Sequence, residues 1–258
     1  MSKFKSLIEK VGNNLSIPQT QKFFEALHYF SLAGMNYIGC LGERNSLKLL
    51  KFSKNDDLIF FDVGANCGEY AQLLRNNFKE AKILSFEPSK KTFFTLKDNV
   101  KNMENIVCEN FGFDKENKET TLYTNFTGSG LASVYQRPLS PLNIVLDQKE
   151  IVQLKTIDSY CAANGIKKID LLKIDIEGNE FNALLGAKKM LEAGAINYIQ
   201  FEFGGCNIDS KVFFKDFFFL LQDKYRIYRI LKNGWQEIKQ YQQKLEIFMI
   251  ANFICEKK

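Results

Sequence analysis

The feature that most constrains this chain is a buried apolar run that passes directly into a glycine turn. Residues 58–63 read Leu-Ile-Phe-Phe-Asp-Val, which is typical of a strand buried on both faces of a parallel sheet. The run leads into Asp62-x-Gly64-x-Asn66-x-Gly68, and a helix is predicted over residues 69–78. Glycines let the backbone approach a ligand closely, and the start of the following helix attracts negative charge. The pattern therefore predicts a strand–turn–helix unit that binds an adenosine-type cofactor.

The rest of the chain repeats this alternation of strands and helices. Strands are predicted at residues 82–87, 106–109, 168–175, 198–203, 225–230 and 247–254, and helices at residues 90–100, 156–164, 179–191 and 212–221. Such alternation indicates βαβ units and a mostly parallel sheet. The last two strands have no predicted helix between them, so they are expected to pair antiparallel. The sequence predicts an α/β, Rossmann-like fold with about seven mostly parallel strands and an antiparallel last strand.

Two stretches fall outside this alternation. Residues 1–54 are predicted to be an N-terminal helical extension, with one apolar stripe in a helix at residues 20–32 and a second short helix at about residues 46–52. Residues 55–258 form the predicted main domain. Residues 113–155 show only two short strands, at 120–124 and 151–155, around a long loop. This stretch is either a substrate-facing insertion or a poorly ordered surface excursion.

The glycine turn differs from a dinucleotide-binding fingerprint. That fingerprint places three glycines as G-x-G-x-x-G around a pyrophosphate, whereas Asn66 occupies the middle position here. Asp62 at the strand end disfavours a pyrophosphate nearby and suits the ammonium group of a methionine moiety. Glu87 closes the next strand, where a carboxylate can accept both hydroxyls of a ribose. The alternatives are that Asp62 only forms the turn and that Glu87 is a solvated strand-end acid.

S-adenosylmethionine is the cofactor that fits these positions. Its adenine is expected over the end of the third strand, where Phe111 offers a ring face. In a chain with 24 phenylalanines, the alternative is that Phe111 belongs to the core. Pro88 opens the helix after Glu87. The predicted cofactor contacts are Asp62, Gly64, Ala65, Asn66, Gly68, Glu87, Pro88 and Phe111.

A second motif, Asp-Leu-Leu-Lys-Ile-Asp-Ile-Glu-Gly-Asn-Glu at residues 170–180, ends another predicted strand. Side chains alternate along a strand, so Lys173, Asp175 and Glu177 share one direction. A strand inside a parallel sheet carries such charges where its carboxyl end borders a crevice. The alternative is a structural ion pair of Lys173 with Asp175 or with Glu177. Asn179 is expected to cap the next helix.

Together these motifs resemble the FkbM family of methyltransferases. The resemblance rests on residues 62–68, Phe86-Glu87-Pro88, Thr156-Ile157-Asp158 and residues 170–180, and it extends over about residues 58–205. The last motif is specific to that family, whereas many methyltransferases share the first. The resemblance implies a methyltransferase fold, S-adenosylmethionine as donor, and usually a hydroxyl of a sugar, polyketide or related metabolite as acceptor. It implies that the cofactor contacts include Asp62, Gly64, Asn66, Gly68 and Glu87, and that the active-site acids are Asp175 and Glu177.

Methyl transfer to a hydroxyl requires a group that takes the hydroxyl proton, and a positioned base contributes roughly 10²–10⁴-fold to the rate. The only histidine, His28, lies beside the apolar stripe of the N-terminal helix and is expected to pack there. The base is therefore expected to be a carboxylate, with Asp175 favoured and Glu202 as second choice. Lys173 and Glu177 complete the predicted catalytic group. The alternative is that Asp175 and Glu202 hold Mg²⁺, which would bind and acidify a vicinal diol.

Composition and charge restrict the partners of the chain. The formal charge is +5, from 35 basic and 30 acidic side chains, and no basic block exceeds a lysine pair, so a nucleic-acid substrate is not expected. The six cysteines stand singly, and no apolar run approaches the roughly 20 residues of a membrane span. A cytoplasmic O-methyltransferase with a small-molecule or glycan acceptor is expected. The alternatives are a nitrogen or nucleic-acid acceptor, and a non-catalytic module that keeps the cofactor pocket.

Overall fold

The chain divides into two compact units, Met1–Gly39 and Cys40–Lys258. The computed structural model describes residues 6, 10, 12, 20–34, 42–52 and 57–258. In the first unit, helix α1 spans Gln21–Gly34, which nearly matches the range predicted for it, residues 20–32. Its apolar side chains Phe23, Leu27 and Phe30 are exposed. None of the described helices is long and apolar enough to cross a bilayer.

The second unit is built from two sheets and the helices around them. Its strands are β1 (Ile59–Val63), β2 (Lys82–Phe86), β3 (Ile106–Glu109), β4 (Gly112–Phe113), β5 (Lys118–Thr124), β6 (Gln148–Lys155), β7 (Ile169–Ile174), β8 (Ile196–Phe203), β9 (Tyr225–Leu231), β10 (Gly234–Glu237) and β11 (Ala251–Lys257). Its helices are α2 (Gly42–Ser46), α3 (Glu69–Asn77), α4 (Lys90–Val100), α5 (Ile157–Ala163), α6 (Glu180–Leu185), α7 (Lys188–Glu192), α8 (Cys206–Ser210) and α9 (Phe214–Leu221).

The large sheet has eight strands in the order β10-β9-β11-β8-β7-β1-β2-β3. Strands β3, β2, β1, β7 and β8 are parallel, and β11 pairs antiparallel with both β8 and β9. The central strands are buried on both faces: every residue of β7 is buried, and Phe60, Phe61 and Val63 of β1 are fully buried. These features confirm the predicted α/β, Rossmann-like fold with mostly parallel strands.

The order of the strands reverses beside β1, which pairs with β2 on one side and with β7 on the other. At such a switch point, the loops that follow the two strands run in opposite directions and leave a crevice at the carboxyl ends of the strands. The loops after β1 and β7 carry the two motifs found in the sequence. The fold therefore brings residues 62–68 and 170–180 to the same edge of the sheet.

Four elements differ from the sequence prediction. The predicted last strand at residues 247–254 begins at Ala251, and β10, which the prediction missed, forms a hairpin with β9 and makes eight strands instead of about seven. No residue of β10 is buried, and its sequence has no apolar run, which is why the sequence pattern did not predict this strand. The predicted helix at residues 179–191 is split into α6 and α7 around Gly186. The helix expected at residues 46–52 is present as α2, which begins earlier, followed by a 3₁₀ helix at Leu47–Leu49.

Residues 113–155 fold as a small layer of their own. Strand β6 pairs antiparallel with β5 and parallel with β4. The predicted strands at 120–124 and 151–155 are present, and both are longer than predicted. Leu122, Val152 and Leu154 form a small buried cluster under this sheet. This stretch, hereafter the insertion, is thus a folded element.

Residues 42–52 belong to the second unit. The side chains of Leu47 and Leu50 are buried in the same cluster as Phe60. The indole Nε1 of Trp235 donates a hydrogen bond of 2.8 Å to Ser46 Oγ. Residues 42–52 therefore contribute apolar side chains to the core of the unit Cys40–Lys258.

Candidate active site

The glycine turn after β1 is shaped by close backbone packing. Gly64 has φ +79°, and a Cβ there would lie 1.9 Å from the carbonyl oxygen of Asp175. The N–H groups of Gly64 and Ala65 both donate to the carbonyl of Phe86, at 3.0 Å. Gly68, with φ +92°, precedes α3 and packs against Leu96. The turn therefore requires glycine at residue 64 for the loops after β1 and β7 to touch.

Glu87 lies beside this turn, at the end of β2. Its side chain is buried, Oε2 accepts the N–H of Asn66 at 3.0 Å, and Oε1 accepts the N–H of Ser89 at 2.9 Å. A carboxylate has about four acceptor positions, so each oxygen keeps capacity for a further donor. Burial raises the pKa of Glu87 to about 7, against the opposing effect of the two backbone hydrogen bonds. The geometry gives a buried, oriented carboxylate at the edge of a cleft.

The cleft extends from Glu87 toward both the insertion and the end of β7. Its lining residues include Gly64, Asn66, Glu87, Pro88, Gly112, Phe113, Ser129, Gly130, Asp175 and Glu177. The insertion closes one side, because Asn66 Nδ2 donates to the carbonyl of Ser129 at 3.2 Å and Gly128 N donates to Thr92 Oγ1 at 3.0 Å. The cleft thus has one wall from the sheet and one from the insertion.

Phe111 packs in the aromatic core beside the cleft. Its ring is buried against Phe86, Phe113 and Tyr160, and Lys155 Nζ lies 3.8 Å from its centroid. Phe113, which lines the cleft, is buried in the same group of rings. This packing fits the alternative that Phe111 belongs to the core, and its contact with the adenine stays a prediction.

Asp62 and Lys173 form a buried ion pair beneath the turn. Asp62 is fully buried, and its Oδ1 lies 3.4 Å from Lys173 Nζ. Lys173 Nζ also lies 3.6 Å from Asp175 Oδ2 and donates to the carbonyl of Gly64 at 3.3 Å. Burial raises the pKa of Asp62, and the charge of Lys173 opposes that rise. In the described structure Asp62 lines no cleft, so it supports the turn from below through Lys173.

Three carboxylates meet at the carboxyl ends of β7 and β8. One oxygen each of Asp175, Glu177 and Glu202 lies within 4.8 Å of the others. Glu202 is buried, whereas the side chain of Asp175 is 37% exposed and lines the cleft. The fold therefore brings together Lys173, Asp175, Glu177 and Glu202, all four residues of the predicted catalytic group.

Arg137, which the sequence analysis missed, comes from the insertion and reaches this acidic edge. Its guanidinium pairs with Glu177 through NH1 and with Asp209 through Nε at 3.2 Å, and its side chain is only 8% exposed. Burial raises the pKa of Glu177 to about 7, and Arg137 opposes that rise. Arg137 is the only arginine between Arg75 and Arg226 in the sequence. This is the one sequence feature that could have singled it out as a candidate site residue.

The turn after Asp175 is held by Glu180 and not by Asn179. The carboxylate of Glu180 accepts the N–H groups of Ile176 and Gly178 at 2.9–3.1 Å. Asn179 makes no cap with its side chain and instead donates to the carbonyl of Phe113 at 3.1 Å. The expected Asn179 cap is therefore wrong, because the amide ties the turn to the insertion.

The sequence profile of the methyltransferase FkbM domain family matches residues 62–230. The match covers both motifs, the insertion and the acidic edge. The chain belongs to this family of methyltransferases, which confirms the resemblance read from the sequence.

Three curated relatives are similar to part of this chain. Methyltransferase 1 of Beauveria bassiana is 25% identical over 51% of this chain and 59% of its own length. Hexuronic acid methyltransferase AglP of Haloferax volcanii is 24% identical over 61% of each chain, and 2-O-methyltransferase NoeI of Sinorhizobium fredii is 20% identical over 60% of this chain and 67% of its own length. The chain thus spans less than two thirds of the length of the first of these relatives.

A solved structure, that of SMU.1697c from Streptococcus mutans, described as a methyltransferase in complex with SAH, is 12% identical to this chain. The alignment covers 84% of this chain and 98% of that one, with a TM-score of 0.45.

Proposed function

We propose that this protein transfers the methyl group of S-adenosylmethionine to a hydroxyl of a saccharide or a related secondary metabolite. The observation that carries the proposal is the position of Glu87, a buried carboxylate beside a glycine turn, on the same cleft as Asp175. The cleft follows the switch point of the sheet, which is where ligands bind in open α/β folds. Family membership supports the reaction class.

The residues present fit the cofactor. Gly64 lets the loops after β1 and β7 meet at the edge of the cleft, and Glu87 keeps acceptor capacity for two ribose hydroxyls. Pro88 and Gly112 line the same cleft beside Glu87, near the end of β3 where the adenine is expected. When bound, S-adenosylmethionine supplies an electrophilic methyl group on a sulfonium.

Asp175 is the proposed base. Asp175 lines the cleft, and Lys173 Nζ lies 3.6 Å from its Oδ2. As the acceptor oxygen forms its bond to the methyl carbon, Asp175 takes the hydroxyl proton and the sulfonium becomes a neutral thioether. Positioning supplies much of the acceleration of such an in-line displacement. Glu202 is the second candidate for the base.

A Mg²⁺-assisted form of the same reaction is favoured by one observation, the convergence of Asp175, Glu177 and Glu202. Arg137 already pairs with Glu177, so we infer that Asp175 and Glu202 would be the ligands. Oxygen ligands suit Mg²⁺, and the ion would acidify a vicinal diol. Loss of activity with a chelator, restored by Mg²⁺, would support this form; activity that resists the chelator would exclude it.

The printed names of two relatives support the acceptor class. AglP is described as acting on hexuronic acid and NoeI as a 2-O-methyltransferase. Incubation with methyl-labelled S-adenosylmethionine and a panel of hexoses, hexuronic acids and their glycosides tests the class directly. Asp175→Asn is expected to lower turnover by about 10²-fold or more while cofactor affinity stays nearly constant. Full turnover in Asp175→Asn would remove it as the base.

Calorimetry with S-adenosylmethionine and S-adenosylhomocysteine tests the cofactor assignment. Glu87→Ala is expected to lower the affinity for both ligands by about 100-fold, because two hydrogen bonds from the ribose to a charged group are lost. Glu104→Ala is the control, since Glu104 is an exposed carboxylate in the turn before β3 and does not line the cleft. Absence of binding in the wild-type protein, or equal affinity in Glu87→Ala, would overturn the assignment.

A further inference from the structure

A second cavity adjoins the cofactor cleft on the side away from Glu87 and Phe113. It shares Gly64, Asn66, Gly130 and Asp175 with the first cleft and is otherwise lined by Arg44, Ala65, Cys67, Glu69, Tyr70, Leu73, Gly128 and Lys173. The two cavities therefore meet at the glycine turn. A ligand whose ribose lies on Glu87 can extend past Gly64 into the second cavity.

Two cationic side chains line this cavity, and their surroundings differ. Lys173 is buried between Asp62 and Asp175, at 3.4 and 3.6 Å, so carboxylates of the protein already offset its charge. Arg44 is exposed, and no carboxylate among the described residues forms an ion pair with it. Arg44 is thus the lining cation that is available to an anionic group of a ligand.

The chain on the C-terminal side of Arg44 is anchored to the main sheet. Asn45 Nδ2 donates to the carbonyl of Lys232 at 2.9 Å, in the turn between β9 and β10. Ser46 Oγ accepts from Trp235 Nε1 at 2.8 Å, and Leu47 is buried in the core. These contacts fix the backbone that carries Arg44 beside the second cavity.

We propose that Arg44 binds the carboxylate of the amino-acid end of the cofactor. This inference rests on the proposed function, because it assumes S-adenosylmethionine in the cleft. A guanidinium presents a planar fork that matches a carboxylate in a bidentate pair. Arg44 precedes residues 62–230, the part of the chain that the family profile matches, so family membership does not assign it this role.

The test compares two ligands that differ by one carboxylate. Calorimetry is performed with S-adenosylmethionine and with decarboxylated S-adenosylmethionine, which keeps the ammonium and the sulfonium. Arg44→Ala is expected to lower the affinity for S-adenosylmethionine by about tenfold, because a charge-assisted pair is lost. Its affinity for the decarboxylated ligand is expected to change by less than about twofold. Arg44→Lys is expected to lose less affinity for S-adenosylmethionine than Arg44→Ala, because lysine keeps the positive charge but not the planar guanidinium.

Lys48→Ala is the matched control, because Lys48 is an exposed cation one turn later and lines neither cavity. It should leave both affinities unchanged. Unaltered affinity of Arg44→Ala for the decarboxylated ligand also reports an intact fold. Equal losses for both ligands, or no loss for either, would overturn the role of Arg44. Failure of the proposed function is distinct, because the wild-type protein would then bind neither ligand.

Discussion

Compared with the insertion side of the cleft, the glycine-turn side is held together mainly by contacts that involve backbone groups. Gly64 and Ala65 bond to the end of the adjacent strand, and Glu87 bonds to Asn66 and to Ser89, two residues ahead. The insertion side depends on Arg137, whose partners Glu177 and Asp209 are 40 and 72 residues away. The first side is fixed by backbone geometry and the second by side-chain charge, so they should respond differently to substitution.

The largest effect is expected at the glycine turn. Gly64→Ala places a Cβ against the carbonyl of Asp175 in a left-handed conformation, so the free energy of unfolding should fall by about 3 kcal/mol. Gly130→Ala is the control, because this residue lines the same cleft and a Cβ there meets nothing within 4 Å. Its change should stay within about 0.5 kcal/mol. Denaturant unfolding measures both, and similar losses would contradict the backbone account.

On the insertion side, Arg137→Gln leaves Glu177 and Asp209 without their cationic partner. The free energy of unfolding should fall by about 2 kcal/mol, less than for a fully buried pair because both acids are partly exposed. Arg226→Gln, whose side chain is 53% exposed and pairs with Glu256, should cost under about 0.5 kcal/mol. The double variant Arg137→Gln/Glu177→Gln should recover part of the loss. If Arg137→Gln lowers the free energy of unfolding no more than Arg226→Gln does, the charge of Arg137 does not stabilise the insertion side of the cleft.

The affinity for S-adenosylhomocysteine should depend on pH through Glu87. Because the pKa of Glu87 is raised to about 7, this group gains a proton as the pH falls below 7, and the protonated form is a poorer acceptor for ribose hydroxyls. Calorimetry should show affinity lower by about tenfold at pH 6 than at pH 8. Glu87→Gln should bind more weakly and show a flat profile over this range. An unchanged slope in Glu87→Gln would assign the titration to another group.

The smallest effect concerns Phe111, whose ring is buried in the aromatic core. Lys155→Met removes the charge over the Phe111 ring and should cost about 0.5–1 kcal/mol in the free energy of unfolding. Lys149→Met, whose ammonium lies 5.6 Å from the centroid of Tyr123, should cost less. The affinity for S-adenosylhomocysteine should not change in either variant. A lower affinity for S-adenosylhomocysteine in Lys155→Met would support the predicted contact between Phe111 and the adenine.

The parts of the site that the sequence predicted are those where position along a strand decides the geometry. Glu87 and Asp175 follow buried apolar runs, so a parallel sheet necessarily carries both to one edge. Arg137 could not be placed, because nothing in the local pattern of the insertion specifies contact with Glu177. Asn179 was misassigned for a related reason: a residue with good capping propensity was used for a contact with Phe113, 66 residues away.

The pairing of β4 with β6 has a consequence for how this protein can change. Gly112 lies opposite Leu154 and Phe113 opposite Lys155, so the insertion leaves and re-enters the domain at neighbouring points. The cost of closing a loop grows only slowly with its length. Exposed residues between these two points can therefore change in number without moving β3 or α5. Ser129, Gly130 and Arg137 would have to be kept, because they line the donor cleft or pair with Glu177.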